Sequence, residues 1–178
     1  MVSSESSKNA KKRLAVSRPE RYLNSAGHYS NMKITGILQA EHAVFHNLFD
    51  HIERLGPRLK TLAEVRHLAD LLKNLLEAHS KVEDALIIAP LEHQFEQLGQ
   101  QETFHQEHEE IDASLEQALR VKDLRAARRL LLNAVVASRK HFDKEERLIF
   151  PMAEKLLKAK TLSTLGDRWI EQRKAIVG

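Results

Sequence analysis

The chain contains one helical pattern twice, and this repeat restricts its fold more than any other feature of the sequence. The segments "HSKVEDALIIAPLE" and "HFDKEERLIFPMAE" each place a His four residues before a Glu, followed by an apolar run and a Pro. Each is preceded by a stretch with apolar residues at steps of three and four and one His on the same stripe. Because no stretch shows sustained alternation of every second residue, the sequence predicts helices and no strands.

Four long helices and a short one are predicted from this periodicity and from the residues that end helices. Gly56 and Pro57 stop the first helix, Gly99 stops the second, and Asn31 and Asp123 are candidate N-caps. The expected helices cover about residues 31–55, 61–98, 102–121, 124–158 and 163–176. Four long helices joined by short loops pack antiparallel. The predicted fold class is therefore all-α, an up-down antiparallel four-helix bundle with a short extra C-terminal helix and a basic N-terminal arm.

The basic residues are concentrated in a Ser-rich leader. Residues 1–30 hold six Lys or Arg against two Glu, so this segment carries +4 while the whole chain carries +3. Its composition is typical of a solvated arm, and we expect no nucleic-acid partner. The predicted organisation is this arm at 1–30, the bundle at 31–160 and an amphipathic helix at 161–178. No apolar run is as long as a signal peptide or a membrane span, so we expect a cytoplasmic protein without a membrane partner.

The composition limits the chemistry that the chain can support. Cysteine is absent, which excludes disulfides, thiolate zinc sites, iron–sulfur clusters and thiol catalysis. Any bound metal must therefore be held by His, Asp and Glu, and the chain has 10 His. With 42% hydrophobic residues, 178 residues can bury the core of one ordinary domain.

Each long helix carries a His on its predicted apolar stripe. The first stripe is Leu38, His42, Phe45, Phe49 and Ile52, and the third is Phe104, His108, Ile111, Leu115 and Ala118. The second is Val65, Leu68, Leu72, Leu75, His79, Glu83, Leu86 and Pro90. The fourth is Leu124, Ala127, Leu131, Ala134, Ser138, His141, Glu145, Leu148 and Met152. Two stripes therefore bury a Glu one turn after their His.

The two Glu on these stripes need partners, because an unpaired buried carboxylate costs several kcal/mol or becomes neutral. No Lys or Arg shares their stripes at that level, whereas four His do. A single His on an apolar face is usually a core residue satisfied by hydrogen bonds, but six groups in register favour a metal site. The candidate ligands are His42, His79, Glu83, His108, His141 and Glu145. Two carboxylates able to bridge suit two ions, and imidazole with carboxylate favours iron over zinc or manganese.

The segments "EHAVFHNLF", "HSKVEDALIIAPLE", "EHEEIDASL" and "HFDKEERLIFP" resemble the hemerythrin-like, or HHE cation-binding, domain over about residues 33–157. The resemblance implies that His42 and His79 bind one iron, that His108 and His141 bind the other, and that Glu83 and Glu145 bridge them. It implies a cofactor of two non-haem irons, Fe²⁺ or Fe³⁺, joined by an oxo or hydroxo group when oxidised. Family members variously carry or sense oxygen, respond to nitric oxide, repair iron centres, sense iron or decompose peroxide.

Two positions differ from the oxygen-carrying members of that family. Their third helix resembles His-x-x-x-His, but Phe104 stands four residues before His108 here, and their last carboxylate is usually an Asp where this chain has Glu146. His46 and His105 are alternatives for a fifth imidazole or for an outer hydrogen bond. The remaining His are expected on the solvated surface, and they are His28, His51, His67 and His93.

These observations predict a non-haem di-iron protein that binds or reacts with a small ligand, O2, NO or peroxide. Its role would be sensing, scavenging or redox protection, and its enzymatic form would be a low-turnover oxidoreductase or a peroxide-decomposing activity. One alternative is an iron-handling or iron-donating protein for metal homeostasis or iron-centre repair. A second alternative is a metal-free helical interaction module.

Overall fold

The structure is a computed structural model that describes residues 32–93, 96 and 101–177, without the side chains of 101–105 and 174–177. Within these residues every regular element is helical and no strand occurs, so the predicted all-α class is confirmed. The predicted arm at 1–30 lies outside them. None of the described helices combines the length and the apolar character that a membrane-spanning segment needs.

Six α-helices make up most of the described chain. They are α1 (Ile34–Leu55), α2 (Leu62–Glu83), α3 (Gln101–Arg120), α4 (Leu124–Lys144), α5 (Phe150–Leu156) and α6 (Ala159–Val177). Helix α3 packs against α2 and α4, α4 also contacts α1 and α2, and α6 contacts α1. Helix α6 begins earlier than predicted and is a full-length helix of 19 residues.

Helix ends follow the local sequence signals. Thr61 and Glu64 form a capping box at the start of α2, in which each side chain accepts from the backbone N–H of the other. Asp123 accepts from Ala126 N at 2.7 Å, so the predicted cap of α4 is confirmed. At α1 the N-cap is Lys33, which makes no side-chain cap bond, and the predicted cap Asn31 lies outside the described residues.

A wide turn follows each His-x-x-x-Glu helix. The backbone takes the π conformation over Asp84–Ile88 and again over Glu145–Ile149, and each π turn ends two residues before a Pro. A Pro in a helix lacks an N–H, and its ring clashes with the carbonyl four residues earlier. The i→i+5 pattern widens the helix where that clash would arise. The breaks predicted at Pro90 and Pro151 therefore take the form of a change in helix type.

The π turns shift the buried face, and the predicted stripes are wrong beyond them. Leu148 is 58% exposed, whereas the next residue, Ile149, is 3% exposed. Pro90 is likewise exposed while Leu91 is buried. A π turn holds more residues per turn than an α-helix, so the face that continues towards the core moves by one position.

The predicted stripe of α2 is also wrong before His79. Ala69 and Leu76 are buried, whereas Leu68 is half-buried and Leu75 is exposed. Steps of three then four and of four then three both lead to His79, so periodicity alone does not separate these neighbours. The other stripes are confirmed along most of their described length, with α1 buried at all five predicted positions.

Two apolar clusters make up the core. One joins residues of α1 to α4 and includes Phe49, Ile52, Leu72, Leu115 and Leu131. The other joins the start of α1, the segments after Glu83 and Glu145, and α6, and includes Ile34, Leu38, Val82, Ile149, Leu162 and Leu165. Along α1, α2 and α4 the predicted ligands stand between residues of one cluster and residues of the other. A polar layer is thus enclosed between two apolar ones.

Replacing Ile149 tests this register. We expect Ile149→Ala to lower the free energy of unfolding by about 2–5 kcal/mol, because it leaves a cavity in a packed cluster. Leu148→Ala, the matched control on the exposed face, should change it by no more than about 0.5 kcal/mol. Urea unfolding of the two variants measures both values. Equal losses in the two variants would contradict the shifted register.

Candidate metal centre

The six predicted ligands lie together in the polar layer. Five of them are buried and His108 is half-buried. Their potential ligand atoms form two sets, and within each set the atoms lie within 4.8 Å of one another. One set is Glu83, His108, His141 and Glu145, and the other is His42, His79 and Glu145. Glu145 belongs to both sets.

The first pair of imidazoles meets edge to edge. His42 Nε2 lies 3.2 Å from His79 Nε2. The opposite ring nitrogens face carboxylates, since His42 Nδ1 is 3.0 Å from Glu146 Oε1 and His79 Nδ1 is 3.0 Å from Glu41 Oε2. An ionised carboxylate only accepts, so each Nδ1 donates; Nε2 of a neutral ring then carries a lone pair, whereas Nε2 of a charged His42 ring carries a proton that it can donate to Glu145 Oε2 at 3.2 Å. Two lone pairs at this distance repel each other unless a proton or a cation lies between them.

In the second half of the centre both ring nitrogens of His141 face carboxylates. His141 Nδ1 is 2.9 Å from Glu107 Oε2, and His141 Nε2 is 2.7 Å from Glu145 Oε1. The rings of His108 and His141 are in T-shaped contact, with centroids 4.4 Å apart. Carboxylates that orient imidazoles in this way are common around metal sites, where they fix the tautomer and raise the basicity of the ligand nitrogen.

Sequence reasoning missed these outer carboxylates. Glu41 and Glu107 each precede a predicted His ligand, in two of the chain's three "EH" dipeptides, but each binds the His of the following helix. Glu146 holds His42 from the opposite end of the chain. The repeated dipeptide was the available signal, and only the packing of the helices shows which ring each Glu contacts.

Glu83 and Glu145 have opposite electrostatic environments although both are fully buried. Burial raises the pKa of Glu83, and the neighbouring charge of Glu145 raises it further. Burial acts on Glu145 in the same direction, but contacts with His141 and His42 outweigh it and lower the pKa of Glu145. The Glu83 carboxyl faces that of Glu145, and no N–H group of the described residues donates to either of its oxygens. A buried carboxylate beside converging imidazole nitrogens is a donor set that fits a divalent cation.

Aromatic rings enclose the imidazoles. Phe142 stacks on His42 with ring centroids 3.9 Å apart, and Phe45 contacts the edge of His79 at 5.3 Å. These contacts fix the ring orientations and keep water from one side of the centre. Electrostatic interactions inside such a layer are stronger than in water.

A model of a known protein family covers the residues that form this centre. A family model for the hemerythrin HHE cation binding domain matches residues 33–153. The chain belongs to this family. No curated protein and no solved structure matches it significantly. The family match supports cation binding by this domain. The match ends at residue 153, so α6 lies beyond it.

The remaining His of this hemerythrin domain lie away from the two donor sets. His46 accepts a hydrogen bond from Arg139 Nη1 at 3.0 Å and belongs to neither set. The side chains of His105 and Phe104 lie outside the description. His51, His67 and His93 are exposed as predicted. The predicted surface residue His28 lies outside the described residues.

A small cavity reaches the centre between α2 and α3. Its volume is about 20 Å³, which is room for about one water molecule. The lining residues are Leu76, His79, Ser80, His108, Ile111, Asp112, His141 and Phe142. Burial raises the pKa of Asp112. The cavity therefore offers three imidazoles and two further polar side chains to a very small guest.

Removing the charge of Glu83 should separate stability from metal binding. In metal-free protein we expect Glu83→Gln to raise the free energy of unfolding at neutral pH, because an amide can donate to Glu145 where a second carboxylate repels it. A Glu whose folded pKa is raised loses stability as pH rises above its unfolded pKa of about 4.3. The advantage of Glu83→Gln should therefore be small in acid and grow towards neutral pH.

The measurement is urea unfolding of chelator-treated protein across that pH range, with the exposed Glu109→Gln as the control. The same Glu83→Gln protein should bind less metal than the native chain. If Glu83→Gln is less stable than the native protein at every pH, Glu83 has a favourable partner other than a cation.

Proposed function

We propose that this protein is a non-haem di-iron protein whose helices α1–α4 form an up-down antiparallel four-helix bundle around the metal centre. The candidate ligands support this proposal, because α1 to α4 each supply one His. Ligands projecting inward from facing helices are the usual way in which helical bundles hold two metal ions. Within the described residues α3 packs against α2 and α4, and α4 also contacts α1, as neighbouring helices of such a bundle do.

The observation that carries the proposal is the position of Glu145. Its carboxylate belongs to both donor sets, with Oε2 3.2 Å from His42 Nε2 and Oε1 2.7 Å from His141 Nε2. Glu83 also borders the first pair, since Oε2 lies 3.9 Å from His79 Nε2. A carboxylate between two groups of imidazoles is placed to bridge two ions. In this proposal His42 and His79 hold one iron, and His108 and His141 hold the other.

Bound iron would supply redox and Lewis-acid chemistry for a small ligand. The size and the lining of the cavity beside the centre limit which ligands can reach the iron. The cavity beside His79, His108 and His141 has room for about one water molecule, which favours O2, NO or peroxide over an organic substrate. Asp112 and Ser80 line the same cavity and can donate or accept hydrogen bonds there. We therefore propose a role in sensing, scavenging or redox protection, in the cytoplasm and without nucleic-acid or membrane partners.

An iron-handling or iron-donating role is the second candidate. The outer carboxylates Glu41, Glu107 and Glu146 have side chains 21%, 24% and 31% exposed, so solvent reaches the groups that hold the ligands. Such access would assist iron release. A metal-free interaction module is disfavoured, because burying Glu83 without a cation costs stability that an apolar residue would not.

The first test is metal content. We expect two irons per chain after anaerobic reconstitution, and a higher melting midpoint for loaded than for metal-free protein, because only the folded state assembles the ligands. Elemental analysis and thermal melts measure both quantities. An iron content below about half an ion per chain, with equal midpoints, would refute the di-iron proposal.

The second test distinguishes a reactive centre from an iron donor. Reduced, iron-loaded protein is exposed to air, nitric oxide or hydrogen peroxide in the presence of a competing chelator, and its visible spectrum is recorded. We expect a spectral change with iron retained, and no return of the reduced spectrum after purging with argon, since each iron would be held by only two imidazoles besides the carboxylates.

Zinc-loaded protein is the control, because zinc occupies similar ligands without redox chemistry. Transfer of iron to the chelator before any spectral change would favour the donor role. A spectrum that reverses on purging and returns with air would instead indicate reversible oxygen binding.

A further inference from the structure

Helix α6 lies outside the residues that the family model matches, yet it is hydrogen-bonded to the metal centre. Arg173 Nη2 donates to Glu41 Oε1 at 2.9 Å. The other oxygen of Glu41 faces His79 Nδ1 at 3.0 Å. Arg173, Glu41 and His79 thus form a continuous hydrogen-bonded series from α6 through α1 to α2. Of these three residues, only His79 is a candidate ligand.

The second repeat contains a corresponding hydrogen-bonded series, but its cation comes from a different helix. Lys144 Nζ donates to Glu107 Oε1 at 3.2 Å, and Glu107 Oε2 lies 2.9 Å from His141 Nδ1. Lys144 follows His141 by three residues on the same helix. The equivalent position after His79 is occupied by Val82. In the first repeat the cation is therefore supplied by a separate helix.

Val82 also shows why α6 docks at this place. It is 7% exposed and packs in the apolar cluster that contains Leu162 and Leu165 of α6. An apolar residue in place of a Lys extends the surface that α6 covers. Helix α6 comes so close to the start of α1 that a Cβ at Gly166 would overlap the carbonyl oxygen of Met32.

Trp169 fixes the last part of the connection. It lies one helical turn before Arg173 and packs against the same apolar cluster. The Arg173 guanidinium carbon is 5.3 Å from the centroid of the Trp169 ring, within the range of a cation–π contact. The guanidinium is thus held between an aromatic face and the Glu41 carboxylate.

We propose that Arg173 is a positioning residue for His79, and that α6 is consequently part of the metal centre. This inference rests on the proposed function. Arg173 holds the Glu41 carboxylate in place by its hydrogen bond, Glu41 accepts from His79 Nδ1, and His79 Nε2 is thereby directed towards the centre. The two halves of the centre differ accordingly, because only the half with His79 depends on the docking of α6.

The first experiment uses metal-free full-length protein, so that it does not depend on metal binding. Nitrogen-15 NMR of His-labelled protein reports the tautomer and the Nδ1 hydrogen bond of each ring. We expect Arg173→Ala to convert His79 from one tautomer to a mixture and to leave His141 unchanged. Arg173→Lys should restore much of the native signal, and Arg168→Ala, an exposed Arg on the same helix, should have no effect. An unchanged His79 signal in Arg173→Ala would overturn the proposal.

The second experiment uses protein loaded with zinc, which is diamagnetic and keeps the His signals visible. After a chelator is added, the His signals that return to their metal-free positions identify which ion has left. We expect Arg173→Ala to speed loss of the ion at His79 at least about threefold, less than the 10–100-fold typical for the outer carboxylate itself. Lys144→Ala should speed loss of the ion at His141 instead.

Ionic strength provides a matched condition for the same experiment. The side chains of Arg173 and Glu41 are only 22% and 21% exposed, so salt should weaken their contact much less than Arg173→Ala does, and native protein at high salt should stay close to its low-salt rate of ion loss. Equal acceleration at both ions in Arg173→Ala would show general loosening and refute the positioning role. If no zinc or iron binds, the proposed function fails, while the NMR of metal-free protein still decides the role of Arg173.

Discussion

Two carboxylates buried in the middle of an apolar helical core are the constraint on which the rest of this structure depends. Glu83 and Glu145 are fully buried, and charged groups in such a place require compensation. Four imidazoles converge on them, three with their outer nitrogens held by Glu41, Glu107 and Glu146. This layer of polar groups costs stability, and a cation bound between them would offset that cost.

The apolar clusters on either side make this layer possible. They supply the folding energy that the polar layer does not, and they hold α1, α2 and α4 so that side chains far apart in sequence approach within hydrogen-bond distance. Two of the outer carboxylates, Glu41 and Glu107, are 21% and 24% exposed and form ion pairs with Arg173 and Lys144. From the centre outwards, a buried carboxylate, an imidazole, an outer carboxylate and a surface cation therefore follow one another. Substitution of Arg173 or Lys144 can therefore change the surroundings of a candidate ligand without replacing the ligand itself.

Much of the fold and of the site was accessible from sequence because periodicity determines which face of a helix is buried. The positions of His42, His79, His141, Glu83 and Glu145 follow from stripes at steps of three and four, and all five are buried. The outer carboxylates were not accessible, because which Glu meets which His depends on helix packing. Arg173 was beyond prediction for the same reason, since nothing local to it indicates a partner more than a hundred residues earlier.

The failures at Leu75 and Leu148 have two different physical causes. At Leu75 two adjacent Leu both satisfy the spacing, and only packing against the neighbouring helices decides between them. At Leu148 the helix changes from α to π geometry, so the predicted apolar stripe is right up to Glu145 and wrong after it. The Pro that follows each wide turn was the visible signal, because a Pro inside an apolar helix requires some local adjustment.

The wide turns have a consequence for how such a domain can change during evolution. Each π turn changes which face of the helix is buried between one apolar cluster and the other. The buried face after the turn is therefore independent of the buried face before it. The Pro stands seven residues after Glu83 but six after Glu145, and both spacings are accommodated because the turn begins one residue later in the first repeat. A gain or loss of one residue can be absorbed there without rotating the ligands. The apolar cluster that contacts α6 can therefore keep its packing, and with it the Arg173 contact, at either Pro spacing.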